Sequence, residues 1–281
     1  MSRRLFIITG ASRGIGKAVT QALASSPVFS DGEMHFVLTS TKQQDLDAAK
    51  ATLEETVTQL YGSIDRLAVH LMPIDFSNVE HIQAQLTQLF DLAPTWTHNG
   101  QENWTQVVLM MNHGSIGGLN FIEDVASNLP QLQTAINVNI TSCIVFASMG
   151  LKRFAGATDR LDIVNISSLA AVQAFESWGV YCIGKAARDM LCLAIATEVN
   201  SQAHLSRGTV IKSLNYAPGP VDTDMQAEIR TTATIPEQVE LYTNLFNEGK
   251  LVTAFDTTTK LVGILEENAY TSGSHVDYYD S

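Results

Sequence analysis

The sequence predicts one α/β domain, a doubly wound parallel sheet with helices on both faces, and three observations carry that expectation. Short β-rich runs alternate with segments of helical periodicity, the pattern left by successive βαβ units. A glycine-rich turn, Thr9-Gly-Ala-Ser-Arg-Gly-Ile-Gly16, stands between the first such run and the first helical segment. No linker, repeat or low-complexity stretch divides residues 1–281, so a single domain is the economical reading. At 45% hydrophobic composition the chain can bury a large core.

The elements follow in order. Leu5 to Thr9 is a compact apolar strand, and a helix runs from about Gly16 to Ser25. His35 to Ser40 reads as the second strand. Leu46, Ala49, Leu53, Val57 and Leu60 then recur at steps of three and four, the spacing of an amphipathic helix. Ala68 to Ile74 is the third strand. Ser77-Asn-Val-Glu80 has the capping-box pattern, with Val79, Ile82, Leu86 and Leu89 continuing a helix behind it. Ala93 to Gln106, rich in Thr, Asn, Trp and Pro, reads as a surface connection, and Val107 to Met111 is the fourth strand. A long helix is expected from near Leu129 to Arg153, a fifth strand over Ile163 to Ser167 and another helix over Tyr181 to Asn200. Val210 to Tyr216 is the sixth strand. Asp222 to Thr253 is polar with isolated apolar residues, and reads as a lid over the carboxyl ends of the strands, where open α/β sheets bind ligands. A last helix spans Asp256 to Glu267, and Ser274 to Tyr278 is a candidate edge strand.

Composition removes several function classes. The charged fraction of 16% argues against long disorder. Seventeen basic against 29 acidic residues give a net charge of −12, without the basic face of a nucleic-acid binder. The one basic cluster, Arg3, Arg4, Arg13 and Lys17, sits beside the glycine-rich turn and suits a phosphate ligand better than a polymer. Cys143, Cys182 and Cys192 lack metal-ligand spacing, and their odd number argues against a disulfide framework. Cys182 reads either as a packed, inert residue or as a reactive thiol. The apolar run Leu5 to Ile8 is too short for a secretory signal, and no stretch is expected to span a membrane. A reduced, soluble, cytoplasmic protein without a bound metal is expected.

The glycine turn has the strand–turn–helix context that makes such a motif credible, and points to a Rossmann-type nucleotide site. Gly10 permits the tight turn, Gly14 lets the backbone approach a pyrophosphate, and Gly16 lets the helix pack closely on the sheet. The N–H groups at the helix start would face the phosphates. An NAD site places a carboxylate at the end of the second strand for the ribose 2′-hydroxyl. Here the sequence is Thr39-Ser-Thr-Lys42, with no acid before Asp45. Arg13, Ser40, Thr41 and Lys42 suit a 2′-phosphate instead, so NADPH is the expected carrier. Lys42 also reads as a plain helix-start lysine. Asp75 reads either as an acceptor for the adenine amino group or as an ordinary aspartate preceding a helix.

Tyr181-Cys-Ile-Gly-Lys185 places a phenol and an ammonium on one helical face. Ser168 ends a buried strand upstream. A phenol has a pKa near about 10, and a neighbouring ammonium is expected to lower it. Tyr181 would then act as general acid in carbonyl reduction and base in the reverse direction. Lys185 would also bond the nicotinamide ribose, and Ser168 would hold the substrate carbonyl. Asn139, a mediocre helix former in mid-helix, is expected to bend that helix and hold a water that reprotonates Lys185; a surface asparagine is the other reading.

TGASRGIG at the start, NISS ending at Ser168, YCIGK from Tyr181 and APG ending at Gly219 resemble the short-chain dehydrogenase/reductase superfamily over nearly the whole chain. The stretches Leu214 to Gln226, Phe175-Glu-Ser-Trp178, Cys182 to Met190 and Ser272 to Asp280 resemble the sepiapterin reductases within it. The resemblance implies NADPH-dependent reduction of side-chain ketones of pterins, in tetrahydrobiopterin biosynthesis, by a cytosolic homodimer with the Tyr181 helix at its interface. It extends the cofactor set to Ser12, Ile15, Phe76, Asn112 and Gly114, and to Pro218, Gly219, Val221 and Thr223. It implies that Asp277 anchors the pterin amino and ring N–H groups, with Phe175, Trp178 and Met225 as apolar walls. Asp277 otherwise reads as a solvated tail acid. Two departures stand out: Met111-Asn-His-Gly114 has His113 where the superfamily carries alanine, and Thr41 replaces an arginine of the sepiapterin reductases. A broader NADPH-dependent diketone or quinone reductase, and a non-catalytic NADP(H)-binding regulator, are the alternatives.

Overall fold

The alternation of apolar runs with amphipathic segments becomes one seven-stranded sheet in the computed structural model of the chain, which describes residues 2–93 and 104–280. The strands are β1 (Arg3–Thr9), β2 (Glu33–Ser40), β3 (Leu67–Pro73), β4 (Trp104–Met111), β5 (Thr158–Ile166), β6 (Val210–Ala217) and β7 (His275–Asp277). They pair in parallel in the order β3-β2-β1-β4-β5-β6-β7. The helices are α1 (Gly14–Ser25), α2 (Gln43–Tyr61), α3 (Ile82–Asp91), α4 (Leu129–Ile136), α5 (Ser142–Phe154), α6 (Gly179–Ser201), α7 (Asp224–Thr232), α8 (Pro236–Asn247) and α9 (Ala254–Glu267).

Both faces of a parallel sheet are covered, so its strands read as continuous apolar runs rather than alternations. Leu5, Ile7, Val107 and Leu109 enter the core beneath α3 and α5. Phe6, Ile8, Val108 and Met110, one residue out of phase, enter the opposite core with α1, α2 and α9. Each such side chain contributes roughly 1.5–3 kcal/mol when fully buried. Strand order reverses between β1 and β4, which opens a crevice at their carboxyl ends, beside Thr9 and Asn112.

Several sequence expectations need correction. The expected cap at Ser77–Glu80 does not form, because the Ser77 N–H and hydroxyl both donate to Asp75 Oδ1, at 2.9 and 2.7 Å. α3 therefore starts at Ile82, leaving Val79 outside it. Of the expected connection Ala93 to Gln106, residues 94–103 lie outside the described residues, while Trp104 to Gln106 already belong to β4. The long helix near Leu129 to Arg153 is α4 and α5 joined by a π-helical segment, Asn137–Thr141. A 3-10 segment, Ile122–Asn128, extends that run upstream. Contrary to expectation, the run Ile122–Phe154 is long and apolar enough to cross a membrane by length and composition alone. Its Cys143, Phe146, Ala147 and Phe154 side chains are buried in the sheet core.

Candidate active site

The glycine turn is shaped by close backbone approach. A Cβ on Gly16 would lie 2.1 Å from the Gly10 carbonyl oxygen, and Gly14, at φ 51, faces Thr223 Cγ2 at 3.2 Å from where its Cβ would be. Asn112 Nδ2 ties the turn to β4, donating to the carbonyls of Thr9 and Gly10 at 3.0 and 2.9 Å. α1 begins two residues earlier than its apolar pattern suggested, at Gly14, without a side-chain cap at Arg13 and without an acid in its first turn. Ser12 and Ile15 flank that start. Free N–H donors at a helix start with no competing carboxylate fit a dinucleotide pyrophosphate.

The ribose end is set by the close of β2. Ser40 closes β2, with Thr41 and Lys42 exposed after it and no acid before Asp45. Arg13 is held by a carboxylate that sequence reading did not pair with it: its Nη1 lies 2.6 Å from Asp224 Oδ2 on α7. Asp75 is exposed and forms the turn with Ser77, while Phe76 is buried and stacks on His113 with ring centroids 3.8 Å apart. At the other wall, Pro218 O accepts from Thr257 Oγ1 at 3.0 Å, Gly219 turns at φ 76, Val221 bridges Val252, and Thr223 caps α7.

Ser168 follows β5 directly and caps a short turn by accepting from the Ala170 N–H at 3.1 Å. Tyr181 lies in the first turn of α6 and shares a hydrogen bond with the Ser168 side chain. Lys185 is 6% exposed; its Nζ donates to the Ile166 carbonyl at 2.7 Å and lies 5.6 Å from the Tyr181 ring centroid. The electrostatics differ from the simple expectation. Burial pushes the Tyr181 phenol up to about 12, opposed by the Ser168 bond and the Arg188 charge. Burial, aided by Arg188, brings Lys185 down to about 7. Desolvation thus dominates, and the charge that opposes it on the phenol is that of Arg188 rather than that of Lys185.

Asn139 lies within the π-helical segment and is buried, which removes the surface reading. Its Oδ1 accepts from the Ser115 N–H at 3.0 Å and its Nδ2 donates to the Ser115 carbonyl at 2.8 Å. A Cβ on Gly184 would meet Asn139 Cβ at 3.0 Å, so α6 approaches this segment one residue before Lys185. Gly114 faces Asn139 Oδ1 and Arg188.

His113 packs its ring between the start of the turn and the first residue of α5. Its Nδ1 lies 2.7 Å from Thr9 Oγ1 and its Nε2 2.9 Å from Ser142 Oγ. Arg188 was missed as a site residue. It is 1% exposed, with Nε donating to Asn165 Oδ1 at 2.7 Å, Nη1 to the His113 carbonyl at 2.8 Å and Nη2 to the Met111 carbonyl. Its position one turn past Lys185 on a helix facing the sheet was the signal that could have found it.

Phe175, Trp178 and Met225 come together with Tyr181, Ile229 and Tyr242 in one apolar cluster. Trp178 lies 5.7 Å from the Tyr181 ring and 6.0 Å from that of Tyr242, and its Nε1 donates to Gln238 Oε1 at 2.7 Å. α7 and α8 occupy the segment Asp222 to Thr253. Asp277 sits on β7 opposite Ala217, at the same rim of the sheet as Ser168, and makes no hydrogen bond to the triad among the described residues. Its Oδ1 accepts from the Tyr279 N–H at 2.9 Å. Among the described residues no cluster of His, Cys, Asp or Glu is arranged to hold a metal ion.

The arrangement joins a dinucleotide cradle to a phenol, a hydroxyl and an ammonium, which suits proton transfer at a carbonyl. A family model described as short chain dehydrogenase matches residues 4–234. The sepiapterin reductase of Rattus norvegicus is 33% identical over 275 residues, covering 98% of this chain and 95% of that protein. A benzil reductase ((S)-benzoin forming) of Bacillus cereus is 25% identical over 272 residues, 96% of this chain and 97% of that protein. The fold is also that of a solved actinorhodin polyketide ketoreductase with NADPH, at TM-score 0.73 and 18% identity, covering 99% of this chain and 97% of that one.

Proposed function

This chain belongs to the short chain dehydrogenase family, and we propose that within it the chain is an NADPH-dependent carbonyl reductase acting on side-chain ketones of pterins. The observation that carries the reading is the convergence of Ser168, Tyr181 and Lys185 at the sheet rim beside the glycine turn. The likeness to sepiapterin reductase over almost the full length supports the pterin class. The exposed Lys42, with no acid at the end of β2, favours NADPH over NADH.

The bound nicotinamide would supply the hydride. Ser168 and Tyr181 hold the carbonyl oxygen between two hydroxyls, and the Tyr181 phenol gives its proton to that oxygen as negative charge develops there. Charge left on the phenolate is stabilised by the Lys185 ammonium, 5.6 Å from the ring, and by Arg188. Asn139 braces the loop at Ser115 and the packing of α6 beside Lys185. The aromatic wall of Phe175, Trp178 and Tyr242 excludes water from the carbonyl, with α7 and α8 as the lid. Asp277 is the polar anchor at the far end of the ring system, and accepts from its N–H edge when released from Tyr279.

A cytoplasmic homodimer is part of the same reading. Ile183, Met190 and Leu193 form an exposed apolar stripe on α6, with Ile144 exposed on α5, which suits burial against a second copy. One observation favours the diketone alternative: Asp277 Oδ1 is already occupied, while the cluster at Trp178 is aromatic and apolar. A non-catalytic regulator would not need all of Ser168, Tyr181 and Lys185. The test is cofactor oxidation by purified protein with NADPH or NADH, sepiapterin against benzil. Turnover of sepiapterin with an NADPH preference is expected; turnover of benzil alone would move the assignment to diketones, and turnover of neither would leave the regulator.

A further inference from the structure

We propose that Gln226, on the inward face of α7, is a ligand-recognition residue whose carboxamide pairs with an amide-type edge, one N–H beside one C=O. The residue is 4% exposed, yet among the described residues neither Oε1 nor Nε2 has a hydrogen-bond partner. Buried polar groups are almost always paired, and a whole amide left unpaired loses its hydration without return. A glutamine without a task would be expected to turn outward from a surface helix, or to be replaced by a residue such as leucine.

Its place in the fold says which task. The backbone N–H of Gln226 is capped by Thr223 Oγ1 at 3.4 Å, and Thr223 packs against Gly14 of the glycine turn. One helical turn on, Ile229 is buried in the cluster with Trp178 and Tyr181, and Met225 joins the same cluster. Residues three apart share a helical face, so the Gln226 amide lies between the glycine turn and the catalytic phenol. A second buried polar side chain without a partner among the described residues, the Ser177 hydroxyl, stands next to Trp178. Ser177 is held at φ 64, a left-handed conformation that non-glycine residues adopt at a cost and that clusters at functional sites. The wall around Tyr181 therefore carries polar groups that the folded chain itself does not use.

A carboxamide presents one donor and one acceptor side by side, so its complement is another amide edge. Two ligands of this site carry one: the carboxamide of the nicotinamide, and the ring lactam of a pterin, whose one ring N–H would then go to Gln226 and leave Asp277 the 2-amino group. A carboxamide can also donate to a phosphate or ligate a cation, but only an amide edge uses its donor and acceptor together, and among the described residues no group of His, Cys, Asp or Glu is arranged here to hold a metal ion. The inference rests on the reductase reading for its choice of probes.

The test uses the full chain with Gln226→Met, which keeps the length and removes both polar atoms, and Gln226→Glu, which keeps the acceptor and loses the donor. Dissociation constants are measured by calorimetry for sepiapterin and for amide-free benzil on the NADP⁺-loaded protein, and by fluorescence for NADPH. Gln226→Met is expected to raise Tm, because an unpaired buried amide is replaced by an apolar chain. It is also expected to weaken one amide-bearing ligand about tenfold more than benzil. A selective loss on sepiapterin assigns the substrate lactam. A loss on NADPH, with sepiapterin and benzil changed alike, assigns the cofactor carboxamide. Equal changes for all three ligands, or a lowered Tm with no selective loss in either variant, overturn the proposal. Wild-type protein that binds sepiapterin without reducing it would overturn the reductase reading and leave this one standing.

Discussion

Arg13 Nη1 and Asp224 Oδ2 lie 2.6 Å apart, joining the glycine turn to the first turn of α7. Both side chains are largely exposed, at 77% and 69%, so the pair contributes only about 0.2–1 kcal/mol and weakens with salt. It does, however, engage Arg13, one of the cations proposed above for a 2′-phosphate. Asp224→Asn should therefore tighten NADPH binding by at most about fivefold at low ionic strength. NADH binding should not change. Fluorescence titration of both cofactors at low and high salt checks this; equal tightening of NADH would show that Arg13 does not meet the 2′-phosphate.

Lys185 sets the pH dependence of the proposed reaction. With Tyr181 pushed up to about 12, the phenol keeps its proton through the working range and remains a general acid. Lys185, down to about 7, is a cation below that pH and neutral above it. Because the cation stabilises the phenolate that forms, kcat/KM for reduction should fall as pH rises through about 7. Lys185→Met should abolish that limb, and Tyr181→Phe should lower kcat by roughly 10²–10⁴. Activity that persists in Tyr181→Phe would remove the phenol from the mechanism.

How far the sequence carries this picture depends on the range of the interaction. The strands, both core faces and the glycine turn follow from local pattern, since Leu5–Thr9 and Val107–Met111 are buried on both sides and have no other stable setting. Ser168, Tyr181 and Lys185 were legible because strand end and helical spacing fix their neighbourhood. The Asp224 pairing of Arg13 was not, because 211 residues separate the partners. The Ser77 cap failed for the opposite reason: a nearer acceptor, Asp75, took both of its donors. Gln226 was hidden by burial, which no periodicity reveals for a polar side chain, whereas Arg188 shares the helical face of Lys185 and only that spacing pointed to it.

His275 Nδ1 lies 2.6 Å from Asp189 Oδ2, linking β7 to α6. That bond, helped by the charges of Asp189, Asp277 and Asp280, raises the imidazole above its usual range despite partial burial. A raised folded-state value means the contribution is complete below about pH 6.5, the unfolded value, and is lost as pH rises through the folded one. Replacing His275 with Asn should therefore cost more stability at pH 6 than at pH 9, by about 1 kcal/mol at most for a partly exposed pair. Thermal unfolding of both proteins across that range checks the sign. Because Asp277 is two residues away on the same strand, KM for sepiapterin should rise in the variant as well.

His113 should give the protein an acid-sensitive core. Burial, together with the charges of Arg188 and Lys185, holds its imidazole well below the usual range. Its ring is fixed by stacking on Phe76 and by the Thr9 and Ser142 hydroxyls, so the neutral form is built into the packing of β1, β4 and α5. The sign is opposite to that of His275. With a depressed folded value, stability is full above about pH 6.5 and is lost below it, where only the unfolded chain takes up the proton. The slope approaches about 1.4 kcal/mol per pH unit for one such group. Denaturant midpoints from pH 7.5 to 5 should show this decline in wild type and a shallower one in His113→Gln, which keeps a polar side chain and cannot titrate. His113→Ala, which restores the superfamily residue in a chain packed around imidazole, should lose roughly 2–4 kcal/mol at pH 7.5 through the cavity and the freed hydroxyls, and less relative to wild type at pH 5, because it cannot titrate. Parallel declines in wild type and His113→Gln would place the acid sensitivity elsewhere.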